Sequence, residues 1–337
     1  MNGFTTRRRV AAVADACGVS AAARTLLRRP ALLALTYHRI GSAAGCEYDA
    51  GVYSAHADSF CEQVDFLRRH YPVLTLDEAL AALKRPSGLR TSSILLTFDD
   101  GYRDNYSVAF PLLKSMGVQA TFFLPTCLVG TNALAWWDQI AYTVRHARRY
   151  RFRVAENMQE IDLTRMNADQ AIMRILRWFK SDGPARPAAL VTAVAAACDG
   201  PVRQCAPDPQ FVSWEEAKEM LEGGMALGSH THSHRLLGRL TPEEQMEDVV
   251  QSRDVFRQKL GVAPRVIALP CGSSSLETPS ILARAGYEAA FTTRCGVNLP
   301  EVWNFYSLRR IPVDRNTTLP LFRLRVALAL GVHRQVI

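Results

Sequence analysis

Two short stretches hold residues whose types and spacing can do chemistry. In MALGSHTHSHRLLG (225–238) three histidines fall within five residues. In LLTFDDGYRDNY (95–106) two adjacent aspartates follow a buried-type apolar run. If the chain after Gly228 turns helical, His230 and His234 share a face and His232 points away. If it stays extended, all three share one face. Imidazole nitrogens suit a borderline metal such as zinc, and a catalytic site keeps three protein ligands and an open position. Asp100 is the natural third ligand. Neighbouring aspartates on an extended backbone diverge, so one can bind metal while its neighbour reaches the metal-bound water. Gly101 then lets the chain turn sharply. The plain alternatives are a DDG turn and a polar surface loop with adventitious metal affinity. Function gains weight only if both stretches meet on one rim.

That requires a scaffold, and the pattern supplies one. Strand-length apolar runs lie at 31–37, 92–98, 118–124, 225–229, 265–269, 288–293 and 306–313. Helix-length stretches at 56–70, 77–84, 106–116, 214–223, 242–260 and 277–285 separate them. Thr241 with Pro242 is a helix start, and Gly117, Gly224, Gly261 and Gly286 stand where helices stop. Apolar strands alternating with helices mean a parallel α/β fold, and seven strands suit a barrel or a barrel with a gap. Residues 130–212 break the rhythm and read as a mostly helical insertion. The expected organisation is a basic helical segment at 1–30, the barrel at 31–315 with that insertion, and a C-terminal tail or helix at 316–337. Polar residues sit at the strand ends where such folds place function: Tyr37-His38, Asp99-Asp100, Pro125-Thr126, His230, Pro270-Cys271-Gly272 and Thr292-Thr293.

Composition narrows the classes. The chain has 337 residues, 48% hydrophobic, with a formal charge of +8. That is enough for a full core. Arginine clusters (TTRRR, RTLLRR, VRHARRYRFR) read first as solvated helix faces. Aromatics are not interleaved with them, so no nucleic-acid partner is expected. The eight cysteines form no CxxC pair and read as free thiols in a reducing compartment. No apolar run nears the roughly 20 residues of a membrane span. RRRVAAVADACGVSAAA mimics a secretion signal, but Asp15 breaks its apolar centre. Residues 6–29 could instead form a basic amphipathic helix on a membrane surface. The expected location is cytoplasmic, with a peripheral place at the inner membrane face as the variant.

The two stretches together resemble the polysaccharide deacetylases (carbohydrate esterase family 4, the NodB-homology group). TFDDGY (97–102) and HTHSH (230–234) carry the resemblance most specifically. LTYHRIG (35–41), ALPCGS (268–273), GYEAAFTT (286–293) and LRRIPV (308–313) extend it. The resemblance implies a distorted, incomplete (β/α)7 barrel and one divalent metal ion, zinc first, with nickel or cobalt as alternatives. It implies Asp99 as catalytic base and Asp100, His230 and His234 as metal ligands, with His232 a bystander. The implied partner is an acetylated glycan. The implied reaction is N-deacetylation of an amino-sugar-containing polysaccharide or lipid-linked glycan.

Two departures bear on this. Family members usually carry Pro-Tyr-Gly with an arginine upstream that pairs with the catalytic aspartate. Here the loop is Pro270-Cys271-Gly272, and Ala268 stands where that arginine would be. The Cys271 backbone N–H could still face an oxyanion. Its thiol invites a nucleophile reading, though no basic partner is placed for it. Many members also carry a late histidine as general acid. This chain has none in SLRRIPVDR, and His333 lies too far along. By analogy with exopolysaccharide-modifying members that have a YHR element, His38 takes the role. Arg309 and Arg310 alternate, and Arg310 is the one expected to orient Asp99. Trp136 and Trp137 could stack on sugar, with core packing the plainer reading. Two other functions stay in view: a non-catalytic glycan-binding relative, and a small-amide hydrolase on the same fold.

Overall fold

The computed structural model describes residues 2–26, 30–85, 88–184, 186–299 and 304–331. His333 lies outside them. Seven parallel strands form one sheet: β1 (Leu32–Tyr37), β2 (Ser93–Phe98), β3 (Thr121–Leu124), β4 (Ala226–Ser229), β5 (Val266–Ala268), β6 (Ala289–Phe291) and β7 (Arg310–Pro312). From β1 to β6 they stand side by side in chain order, and β7 returns beside β1 with Ala34 opposite Arg310. A parallel bridge from Phe291 to Leu308 nearly closes the ring. The fold is the expected α/β barrel with an irregular seam.

Helices lie between the strands along the chain, as parallel neighbours require. They are α1 (Asn2–Ala16), α2 (Val19–Leu26), α3 (Ala57–His70), α4 (Leu76–Leu83), α5 (Phe110–Ser115), α6 (Trp136–Arg145), α7 (Ala168–Asp182), α8 (Pro187–Cys198), α9 (Trp214–Glu222), α10 (Pro242–Leu260), α11 (Thr278–Arg284) and α12 (Leu319–Gly331). Thr241 caps α10 in a reciprocal box with Glu244, and Gly261 ends it at φ 74°. The stretch expected as one helix at 106–116 starts as a π turn, Asn105–Ala109, before α5.

Inward side chains alternate along the strands. Leu32 and Ala34 of β1, Leu95 of β2, Phe123 of β3, Val266 and Ala268 of β5, and Ala289 and Phe291 of β6 share one buried cluster. Leu76, Leu80 and Leu83 of α4 join it. The opposite faces of β1 to β3 stack aromatics, Tyr37 on Phe98 and Phe98 on Phe122 with centroids 5.4 and 4.6 Å apart.

The chain divides into two compact units. Met1–Ser42, Tyr53–Thr126 and Val212–Ile337 make the first, which holds the sheet. Ala43–Val52 and Cys127–Phe211 make the second, with α6, α7 and α8 and one two-stranded antiparallel ribbon, Arg151–Phe152 with Ile161–Asp162. Trp136 packs within it, 5.3 Å from Trp137 and 4.7 Å from Phe179. Trp137 is buried. Both tryptophans therefore have aromatic partners inside the second unit.

Candidate active site

Strand periodicity builds the first half of the site. Leu95 and Thr97 point inward on β2, and Asp99 continues that parity one step beyond the strand end. Arg310 opens β7 and is 1% exposed. Its two terminal nitrogens meet the two Asp99 oxygens at 2.7 Å each. Its Nε donates to the Thr292 carbonyl at 3.0 Å, and Nη1 also donates to Thr97 Oγ1 at 3.2 Å. The rings of Phe123 and Phe291 flank the guanidinium at 5.6 and 5.9 Å. Arg309, the alternate residue, turns away and donates to the Cys295 carbonyl. Burial alone would raise the Asp99 carboxyl. The Arg310 charge, helped by His230 and His38, outweighs it and holds the group below its ordinary value.

The second half is built by strained backbone. Asp100 has φ 72°, and Gly101 follows at 65°. A Cβ on Gly101 would stand 2.8 Å from Leu124 Cδ2, so both conformation and space call for glycine. Thr231 and His234 are also left-handed, at 65° and 52°. The segment 230–234 is thus neither the helix nor the extended run weighed from sequence. Two reversals bring His230 and His234 together, with ring centroids 4.7 Å apart. Both Nε2 atoms face one oxygen of Asp100, at 3.4 and 3.2 Å. All three residues are buried, and their ligand atoms lie within 4.8 Å of one another.

This set fits a metal ion. Donors about 2.0–2.1 Å from a tetrahedral ion stand roughly 3.3 Å apart, close to the spacing found. His230 Nδ1 lies 2.7 Å from the Ala268 carbonyl, which turns Nε2 toward the cluster. Position 268 has no guanidinium, yet its backbone carbonyl orients the His230 ring. Burial lowers His230, but the Asp99 and Asp100 charges, with hydrogen bonding to Asp100, outweigh it and raise the group. For His234 burial prevails and the imidazole is lowered. Asp100 would be raised by burial, but hydrogen bonds from both histidines hold it well below its ordinary value.

Asp248 on α10 organises the histidine loop, and sequence reasoning missed it. Its carboxylate accepts the backbone N–H of His232 at 2.7 Å and of Ser233 at 3.2 Å, plus the Ser233 hydroxyl. Arg235 pairs with it at 3.3 Å. The signal lay in the helix pattern: Gln245, Asp248, Val249, Ser252 and Phe256 form one buried stripe that mixes polar with apolar residues. His232 turns to Thr126, with Nδ1 2.9 Å from its hydroxyl, and stays out of the three-residue cluster.

His38 leaves β1 half-buried and pinned on both sides of its backbone. Its N–H donates to Ser54 Oγ at 2.9 Å, and its carbonyl accepts from Asn105 Nδ2 at 2.7 Å. The next residue, Arg39, lies between the Tyr53 and Tyr102 rings at 4.6 Å each and pairs with Asp104 at 2.6 Å. Asp104 and Asn105 were likewise not singled out from sequence. Cys271 follows β5 at φ 53° in the turn Pro270–Gly272, and its carbonyl accepts from Thr293 Oγ1 at 3.0 Å.

Residues 87–290 match the family model for polysaccharide deacetylase. The chain belongs to that family. It is thereby a hydrolase of carbon–nitrogen bonds, a glycan deacetylase in broad class. YxkH of Bacillus subtilis (strain 168) is 23% identical over 280 residues, covering 83% of this chain and 70% of YxkH. Two solved structures share the fold. The deacetylase PplD of Streptococcus pyogenes, solved with acetate, aligns at TM-score 0.58 and 22% identity over 89% of this chain and 99% of its own. IcaB of Ammonifex degensii aligns at 0.56 and 22% over 90% and 98%.

Proposed function

We propose that this chain removes N-acetyl groups from an amino-sugar-containing polysaccharide or lipid-linked glycan in a metal-dependent hydrolysis. Asp100, His230 and His234 would hold one divalent ion, zinc first among the choices. Such an ion supplies Lewis-acid polarisation of an acetyl carbonyl and acidifies a bound water. Asp99, kept ionised by Arg310, accepts the proton of the attacking water. The Cys271 backbone N–H donates to the oxygen that becomes negative in the tetrahedral adduct. His38 gives a proton to the departing nitrogen. Water is consumed, the carbon–nitrogen bond breaks, and acetate and a free amine leave.

The observation that carries this reading is the ionised, buried Asp99 held by two 2.7 Å bonds beside a three-residue ligand set. A purely structural ion would need the ligands but not that carboxylate. The test is acetate release from N-acetylglucosamine oligomers by the zinc-loaded protein. Asp99→Asn should lower kcat by about 10²–10⁴ and leave bound metal unchanged. Undiminished release by the variant would remove Asp99 from the role. A loaded protein that binds the oligomers without releasing acetate would favour the glycan-binding alternative.

A further inference from the structure

The formal charge of the chain is unevenly placed. Residues 1–29 carry six arginines against Asp15, a net +5. Residues 319–337 carry Arg323, Arg325 and Arg334 with no acidic residue, a net +3. Together these equal the +8 of the whole chain, so residues 30–318 sum to zero. The fold brings the two ends together, because α1 and α2 both pack on α12.

Over residues 8–16 the orientation of α1 is reversed from that of an ordinary surface helix, which turns its apolar stripe inward. Its inner face is Arg8, Ala11 and Asp15. Arg8 Nε donates to the Asn316 carbonyl at 2.9 Å, Asp15 pairs with Arg323 at 3.0 Å, and Ala11 is 1% exposed. Its outer face presents Arg9 with Val10 and Val13, the valines 59% and 64% exposed. Val19 and Leu26 of α2 and Leu328 of α12 are exposed too. Half of the large hydrophobic side chains exposed among the described residues, five of ten, are therefore on these three helices. A solvated face would carry charge at such positions.

We propose that α1, α2 and α12 form a docking surface for an anionic lipid bilayer. The arginines draw the surface to acidic headgroups, and the short valine and leucine side chains enter the headgroup boundary only shallowly. Nucleic acid would answer the charge but leave the apolar face exposed. A second copy would answer the apolar face but bring like charges together. None of the residues given a role in hydrolysis lies on these helices, so the inference stands apart from the proposed reaction.

The test is flotation of the full chain with phosphatidylcholine vesicles and with vesicles rich in phosphatidylglycerol. The chain should float with the anionic vesicles alone and be released by salt. The double variant V10D/V13D should lower binding at least about tenfold, and Arg9→Glu at least about fivefold. Thermal unfolding of both variants checks that they remain folded; the single reversal at Arg9 and the salt series on the unaltered chain serve if the double variant does not. Equal binding to both vesicle types, no binding to either, or variants that bind unchanged would overturn the proposal. So would lipid-free self-association that the same variants abolish, which would give the surface to a second copy.

Discussion

Arg310 is the residue that holds the Asp99 carboxylate. Two parallel bonds from one guanidinium fix the carboxylate in plane as well as in charge. Removing one partner of a buried pair typically costs about 3–5 kcal/mol, because the other charge is left without compensation. Arg310→Met should therefore destabilise the fold by that order and sharply reduce turnover. It should also move the acid limb of kcat/KM to higher pH. Burial raises a carboxyl, and the largest opposing influence on Asp99 would be gone, so the base would ionise only at higher pH. Arg310→Lys should restore little, since an ammonium cannot make the bidentate fork. An unshifted pH profile in Arg310→Met would contradict the assignment. At this scale the sequence was informative where strand parity rules. It placed only one of Arg309 and Arg310 inward and separated Asp99 from Asp100. It was silent on Asp104, Asn105 and Asp248, whose partners are backbone atoms or residues far along the chain.

Among the elements, the strands and the histidine loop differ in kind. All seven strands were legible because each is a short apolar run bounded by turn residues, and parallel order follows from the helices between them. The loop at 230–235 was not, because its shape is set by left-handed residues and by Asp248 rather than by any periodic pattern. Asp248→Ala should leave α10 formed, since Thr241 and Gly261 still bound it. It should weaken zinc binding by about 10–100-fold, the usual cost of losing outer support to metal ligands. Titration calorimetry with zinc measures this, and an unchanged affinity would show that the loop holds itself. At the opposite ends of the strands the chemistry is structural. Glu288, just before β6, meets Arg265 and Lys84 at 2.6 Å, and Arg265 also pairs with Asp77. Hydrogen bonds from Arg265 and then Lys84 hold Glu288 down from 4.5 to about 2. A depressed carboxyl stabilises above its unfolded value and loses that contribution as pH falls through its folded one. Glu288→Gln should thus cost less than about 1 kcal/mol at neutral pH, because the ion pairs it makes are partly open to solvent. The difference from the parent chain should close between pH 4.5 and 2 in denaturant titrations.

For the molecule as a whole, every residue given a chemical role falls in the first compact unit: His38, Asp99, Asp100, His230, His234, Cys271 and Arg310. The terminal helices belong to the same unit, and residues 1–29 and 319–337 together carry the entire formal charge excess. Their arginine clusters read first from sequence as solvated faces. The exposed valines appear only once α1 is seen to turn its polar side toward α12, because an alanine-rich helix has no strong stripe to orient it. The account rests above all on Asp100, His230 and His234 acting as one ion-binding set. The most direct measurement is metal content after equilibration of the purified chain with zinc, beside His230→Ala. About one ion per chain, lost in the variant, is the result predicted. A chain that takes up no zinc, or a variant that keeps it, would contradict the metal centre and the hydrolysis built on it.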